Sequence, residues 1–360
     1  MRVAVTLEQC WHRVPGGTAR ATLDAVAAVQ AQGDVEQVGV SAWHRAPAPD
    51  PWQPRIPVRR LPLPRLALYD AWQRLRLPNV ERATGRVDLV HSTAHVAAAS
   101  RAPMVATIHD LHFLHEPGHF TPRGVSVFTR FLALVRDHAA IVVCPSEATQ
   151  ADAVAAGIAP DRLRITPWGT DRQPVAPGEP ARVRAAFGLE RRIVLFTGTL
   201  EPRKNLPRLV EAFHRLGDVD ADLVVVGQDG WSPELPSTGI RRLGFVSDAD
   251  RDALFAAADV VCYPSLREGF GLPVLEAMRQ GAPVVTSATT STAEVAGDAA
   301  LLIDPLDVDA IAGAIQRLLD DRDLAARLGV AARRQAATFT WERTASATVA
   351  AYRDALGGGS

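Results

Sequence analysis

Strand-like and helix-like segments alternate along this chain, and the alternation runs twice. Apolar runs predict strands at 2–7, 35–41, 87–91, 103–108, 140–144 and 162–166, with helical spacing of apolar residues at 17–32, 67–83, 121–138 and 146–157 between them. Prolines 167, 174, 177 and 180 then punctuate the chain and read as an interdomain connection. The pattern restarts with strands predicted at 192–197, 222–227, 240–243, 259–263, 283–286 and 300–303, and helices at 204–216, 249–258, 273–280, 307–320 and 323–338. A last amphipathic helix begins near Trp341. Such alternation produces parallel sheets with helices on both faces, an α/β doubly wound architecture. A length of 360 residues suits two such domains. Ligands of these sheets bind at the C-terminal strand edges, so chemistry is expected in the loops that follow strands.

Bulk properties exclude several function classes. A net charge of −1 gives no broad electrostatic grip on nucleic acid. Cys10, Cys144 and Cys262 are odd in number and far apart; Cys144 and Cys262 both end apolar runs and read as small buried hydrophobes in a reducing compartment. Residues 1–7 are too short an apolar run for a signal peptide, and no stretch reaches the roughly 20 apolar residues that span a bilayer. A cytoplasmic protein is expected. One stretch departs from the neutral average: Arg55, Arg59, Arg60, Arg65, Arg74 and Arg76 make 55–76 basic, with Trp52 and Trp72 nearby. It reads either as a solvated loop and helix or as a peripheral contact with the inner face of the cell membrane or a polyanionic acceptor.

Of the 39 basic residues, Lys204 is the only lysine. An ammonium is a compact point charge, where a guanidinium is a wide planar fork. The apolar run 193–196 enters Thr197-Gly198-Thr199, and Leu206, Leu209, Val210 and Phe213 follow at helical spacing. Arg203 and Lys204 therefore fall at a strand-to-helix junction, where free backbone N–H groups favour an anion. The densest motif is Glu268-Gly269-Phe270-Gly271-Leu272-Pro273, with Glu276 eight residues after Glu268. Glycines let backbone approach a ligand closely, and carboxylates accept hydrogen bonds from sugar and ribose hydroxyls. The alternative for Glu276 is dipole complementation on a solvated helix face.

Glu268 and Glu276 in this E-x7-E spacing resemble the motif of the retaining glycosyltransferases of family 4, and the resemblance extends over most of the chain. It includes Pro15-Gly16-Gly17-Thr18, Thr107-Ile108-His109-Asp110, Pro145-Ser146, Pro167-Trp168-Gly169-Thr170-Asp171, Gly198 through Asn205, Val226-Gly227, Gly244-Phe245-Val246, Pro264-Ser265 and 291–300. It implies the GT-B fold of two facing Rossmann-like domains. An acceptor-side domain at 1–170 would be completed by a helix at 341–356 that crosses back to it, followed in sequence by a linker at 171–190 and a donor domain at 191–340. The family's roles would place Arg203 and Lys204 on the donor diphosphate and Glu276 on the ribose. Glu268 and the amides of Gly269, Phe270 and Gly271 would hold the transferred sugar, with Leu272 and Gly198 lining the donor site. Gly16 and Gly17 would approach the phosphate or sugar from the first domain, and His109 the reacting face.

The resemblance implies a metal-independent, retaining hexosyltransferase with no cofactor. Residues 109–120 look like a segment of bacterial polysaccharide mannosyltransferases and favour GDP-mannose as donor, with UDP- and dTDP-sugars left open. The acceptor would be a glycan, a lipid-linked glycan or a small molecule. His91, His95, His109, His112, His115 and His119 are close in sequence, but no helix pattern gathers them into a metal site. Asp218-Val219-Asp220 and Asp307-Val308-Asp309 mimic a metal-binding D-x-D, yet their positions beside helices predict surface charge and capping. A same-fold epimerase or hydrolase and a nucleotide-sugar-binding regulator are the rival readings.

Overall fold

A computed structural model describes residues 1–12, 15–230 and 239–357. The chain divides into two compact units, one of Met1–Gly169 plus the chain from Thr340 onward, the other of Thr170–Phe339.

Among the described residues the first unit has β1 (Arg2–Thr6), β2 (Glu36–Ser41), β3 (Val58–Arg60), β4 (Leu89–Ser92), β5 (Met104–Thr107), β6 (Ala139–Cys144) and β7 (Leu163–Ile165). They form one parallel sheet in the order β3-β2-β1-β4-β5-β6-β7. Strand alternation divides the core between the two faces. Val3 and Val5 of β1 join Val26 and Val29 of the helix Gly16–Gln32 and Ala345, Val349 and Tyr352 of the helix Trp341–Ala355. Ala4, on the opposite face, joins Leu68 and Trp72 of the helix Arg65–Arg74 and Phe131 and Val135 of the helix Pro122–His138. The last helix thus packs on the first unit. Gly169 permits its entry, because a Cβ there would lie 2.2 Å from the Trp341 backbone nitrogen.

In the second unit β8 (Arg192–Thr197), β9 (Ala221–Val226), β10 (Ile240–Gly244), β11 (Val260–Tyr263), β12 (Val284–Ser287) and β13 (Leu301–Ile303) form a parallel sheet ordered β10-β9-β8-β11-β12-β13. The strand order reverses direction at β1/β4 in the first sheet and at β8/β11 in the second. Loops diverge at such points and leave room for a ligand.

Three segments differ from the sequence reading. The helix expected at 67–83 is Arg65–Arg74 followed by a separate short helix Glu81–Thr84. The apolar spacing does continue, but Arg76 takes φ 52° and Pro78 cannot continue a helix. The basic stretch 55–76 contains β3, an edge strand pairing β2 from Gly39↔Val58 to Ser41↔Arg60. The stretch 171–190, read as a linker, carries the helix Glu179–Phe187, which belongs to the second unit. Pro180 sits in its first turn, where its missing N–H costs nothing, and Val183 is fully buried.

Candidate active site

The strand ends at the second sheet's reversal point bring Lys204 and Glu268 together. Thr197 ends β8, Gly198 follows at φ 144°, and a 3₁₀ turn, Pro202–Lys204, leads into the helix Leu206–Arg215. Asn205 takes φ 60° between turn and helix, and its Nδ2 donates to Pro264 O at 3.0 Å. From β11, Tyr263 and Ser265 reach the same place. Lys204 Nζ donates to Tyr263 Oη and Glu268 Oε1. Tyr263 Oη donates to Glu268 Oε1 at 3.0 Å and Ser265 Oγ to the same oxygen at 2.9 Å. Arg203 Nη1 lies 3.0 Å from Glu268 Oε2, and its Nε 2.8 Å from Glu201 Oε2. Lys204 and the Glu268 side chain are nearly excluded from water.

Burial pushes the Glu268 carboxyl up, but Arg203 and Lys204 outweigh it and hold it at about 2. Burial and the charge of Arg203 lower the Lys204 ammonium, with Glu268 opposing. Three donors occupy Glu268 Oε1 and Arg203 holds Oε2, which makes this carboxylate a weak nucleophile and a fixed hydrogen-bond acceptor. The arrangement sets two cations and a carboxylate around a glycine-rich turn, the chemistry that binds a diphosphate beside a hydroxyl-rich group.

Gly269 and Phe270 are buried, and the Phe270 ring meets Phe339 edge-on at 5.9 Å. Gly271, at φ 108°, caps the helix Leu272–Gln280 with Pro273 in its first turn and Gly281 ending it. A Cβ on Gly271 would press on Thr292 Cγ2 at 2.8 Å. Ser291 Oγ donates to Glu268 O at 2.8 Å and steadies the loop. Glu276 occupies neither the solvated face nor an empty cleft: its side chain is 13% exposed, and its Oε1 accepts from Arg172 Nε at 2.9 Å and Arg251 Nη2 at 3.2 Å.

In the first unit His109 follows β5 and is buried. Its Nε2 lies 2.7 Å from Thr93 O. A carbonyl only accepts, so Nε2 carries the proton and Nδ1 the lone pair; among the described residues Nδ1 has no partner. Burial, and then His95, lower His109 to about 4, so the ring is neutral at ordinary pH. Trp168 lies 5.6 Å from it, ring centre to ring centre. Gly16, at φ 64°, and Gly17 begin their helix with nothing within 4 Å of a Cβ at either. Packing therefore does not demand these two glycines.

The remaining histidines disperse: His91 bonds Tyr352 and Thr107, His112 meets His119, and His115 pairs Asp152. Asp307 caps the helix Val308–Asp320 through the Ala310 N–H, while Asp220 and Asp309 pair with Arg191 and Arg215. The three cysteines are buried and unpaired with one another. Sequence reasoning assigned no role to Tyr263, Ser265, Arg172 or Arg251. Tyr263 carried a signal, a hydroxyl at the end of an otherwise apolar strand; the arginines carried none, because Glu276, the carboxylate they share, comes from a distant segment.

Comparisons with known proteins bear on the family and the fold. The family model described as Glycosyltransferase Family 4 matches residues 15–173, and that described as Glycosyl transferases group 1 matches 179–335. The O-antigen chain mannosyltransferase B of Escherichia coli is 37% identical over 268 residues, 69% of this chain and 70% of that protein. The MMP alpha-(1->4)-mannosyltransferase of Mycolicibacterium hassiacum is 35% identical over 212 residues, covering 55% of this chain and 50% of the relative. Among solved structures, Anabaena HepE in complex with UDP and glucose superposes with a TM-score of 0.75 at 19% identity, over 97% of this chain and 98% of that one. Sucrose-phosphate synthase from Thermosynechococcus elongatus gives 0.76 at 21% identity over the whole of both chains.

Proposed function

This chain belongs to the family 4, group 1 glycosyltransferases of GT-B fold, and from that premise we propose that it moves mannose from GDP-mannose to a glycan or lipid-linked acceptor with retention of configuration. The observation that carries the reading is the constellation of buried Lys204 and Glu268 with half-buried Arg203 at the reversal point of the second sheet. The bond that breaks joins the sugar's anomeric carbon to a diphosphate oxygen, and negative charge gathers on that oxygen. Arg203 and Lys204 stabilise it, the form of catalysis in which preorganised charge lowers the barrier most. Glu268 Oε2, with lone pairs to spare beside Arg203, accepts from a hydroxyl of the departing sugar. Because three donors hold Glu268 Oε1 and the two cations beside it keep the carboxylate ionised and charge-compensated, it does not attack the sugar. Retention then follows from same-face attack, in which a phosphate oxygen of the donor takes the proton of the acceptor hydroxyl.

His109 Nδ1 serves as an acceptor for a sugar hydroxyl, since its proton lies on Nε2. Glu276 Oε2 takes the ribose hydroxyls, and Gly16 and Gly17 leave room for phosphate or sugar. The mannosyltransferase names of two relatives support the choice of sugar. The stretch 55–76 supplies the acceptor or membrane contact: Arg55, Arg59 and Arg74 are exposed, and Leu66 and Leu75 are exposed by 53% and 70%. Among the described residues no helix is long and apolar enough to cross a membrane.

A thermal-shift panel of GDP-, UDP- and dTDP-sugars tests the donor, because bound ligand stabilises by mass action. GDP-mannose should give the largest rise, and a larger rise with a UDP-sugar would reassign the base. Incubation with donor alone separates the rivals: an epimerase changes the sugar, a hydrolase frees it at full rate, and a regulator does neither.

A further inference from the structure

A densely charged cluster in the second unit centres on Arg172, which no motif singles out. Its guanidinium meets three carboxylates: Glu276 Oε1 at 2.9 Å from Nε, Asp252 Oδ2 at 2.5 Å from Nη1 and Asp248 Oδ2 at 3.3 Å from Nη2. Arg251 adds a second cation, 3.2 Å from Glu276 Oε1 and 3.4 Å from Asp248 Oδ1. Asp248, Arg251 and Asp252 share one face of the helix Asp248–Ala257 through i, i+3 and i+4 spacing. Glu276, Arg279 and Gln280 do the same on the helix Leu272–Gln280. Arg279 Nε donates to Arg172 O at 2.7 Å, Gln280 Nε2 to Gln173 O at 3.0 Å, and Val175 N to Gln280 Oε1 at 3.0 Å. The segment 172–175 is therefore laid along the helix that carries Glu276. Burial works against the Arg172 charge, but Glu276 and Asp252 outweigh it.

We propose that Arg172 is a positioning residue for ribose recognition, fixing Glu276 so that one defined oxygen faces the nucleoside. The inference rests on the reading of Glu276 as the ribose ligand and names what makes that reading work. An unrestrained glutamate turns about its terminal torsion and offers either oxygen in many directions. Here both guanidiniums converge on Oε1, and among the described residues none donates to Oε2. Two vicinal hydroxyls of a ribose need an acceptor of this kind, with free lone pairs in one orientation. The guanidiniums have a second effect. They offset the Glu276 charge, so a donor with a doubly charged diphosphate is not repelled from its own ribose site. Only a fork supplies both: Arg172 divides its nitrogens among three carboxylates, and an ammonium at the end of a shorter reach cannot.

The test is isothermal titration of GDP and UDP and of their 2′-deoxy counterparts into the full chain, carrying the tighter base into the variants. The parent should prefer the ribonucleotide by about tenfold or more, the size of one hydrogen bond to a charged acceptor. Arg172→Lys keeps the charge and the fold, and should lower that preference below about threefold through weaker ribonucleotide binding alone. Glu276→Gln should lower it as far, and the double variant no further than Glu276→Gln. If Glu276→Gln collapses the preference while Arg172→Lys retains it, the positioning role is wrong and the ribose assignment stands. If Arg172→Lys weakens ribo- and deoxynucleotide equally, Arg172 is a structural staple and the proposal fails. A parental preference near one, a preference that survives Glu276→Gln, or no binding of either base overturns the ribose assignment and the inference with it.

Discussion

A buried ammonium held by one carboxylate and one phenol hydroxyl makes Lys204 sensitive to shape as well as to charge. Lys204→Ala should cost about 3 kcal/mol of transition-state stabilisation, about a hundredfold in kcat/KM. Lys204→Arg is sharper, because it restores the charge in a chain whose other basic residues are all arginine. The wider fork would crowd Arg203 and Tyr263, so steady-state kinetics should show little recovery; parental kcat/KM would remove the special status of this lysine. Glu268 makes a prediction about acid. Its folded pKa of about 2 lies below the ordinary 4.5, so the stability it contributes is fully present above about pH 4.5 and is lost as pH falls towards 2. Denaturant titrations should show the Glu268→Gln variant losing less stability than the parent across that window. Equal losses would mean that the ion pairs at Glu268 do not survive in solution. The sequence made Lys204, Arg203, Glu268 and Glu276 conspicuous through composition and spacing. It could not show that Glu268 holds both cations, since Arg203 and Lys204, on the turn after β8, reach it only once β11 lies beside β8.

Glycines mark the elements that must approach one another, and they divide into two kinds. A Cβ on Gly227 would sit 2.0 Å from Gly198 O, and φ there is 146°. Gly227→Ala should therefore lower the melting temperature by several degrees and weaken donor binding, because it displaces the turn that carries Lys204. Gly17 is the opposite case, with nothing within 4 Å of a Cβ. Gly17→Ala should leave melting unchanged or slightly raised, as alanine favours helix, while lowering kcat/KM if a ligand approaches that turn. Unchanged kinetics would detach Gly17 from the site. At this scale the long, strongly periodic elements were legible, and what escaped was set by context. The strand β3 has only three residues, two of them exposed arginines, and exists because β2 offers an edge. The helix Glu179–Phe187 lay hidden among prolines; it buries Val183 and pairs Arg182 with Asp250 and Arg184 with Asp259.

For the whole molecule, two parallel sheets each reverse strand order once, the second at the point where the turns carrying Lys204 and Glu268 emerge, and the sequence alternation announced both sheets. The family model matches and the 37% identical relative establish a glycosyltransferase. Stereochemistry and metal dependence belong to the proposal. Asp307 caps a helix and Asp220 and Asp309 pair with surface arginines; with the diphosphate charge assigned to Arg203 and Lys204, turnover should persist in EDTA. The most direct measurement of the central claim is a proton NMR time course of transfer from GDP-α-mannose in the presence of EDTA. A panel of mannose-terminated acceptors is offered, and the new anomeric signal is read at the earliest points. The account predicts an α-linked product formed at the chelator-free rate and lost in Lys204→Ala. A β-linked product, activity abolished by EDTA and restored by manganese, or an undiminished Lys204→Ala variant would contradict it.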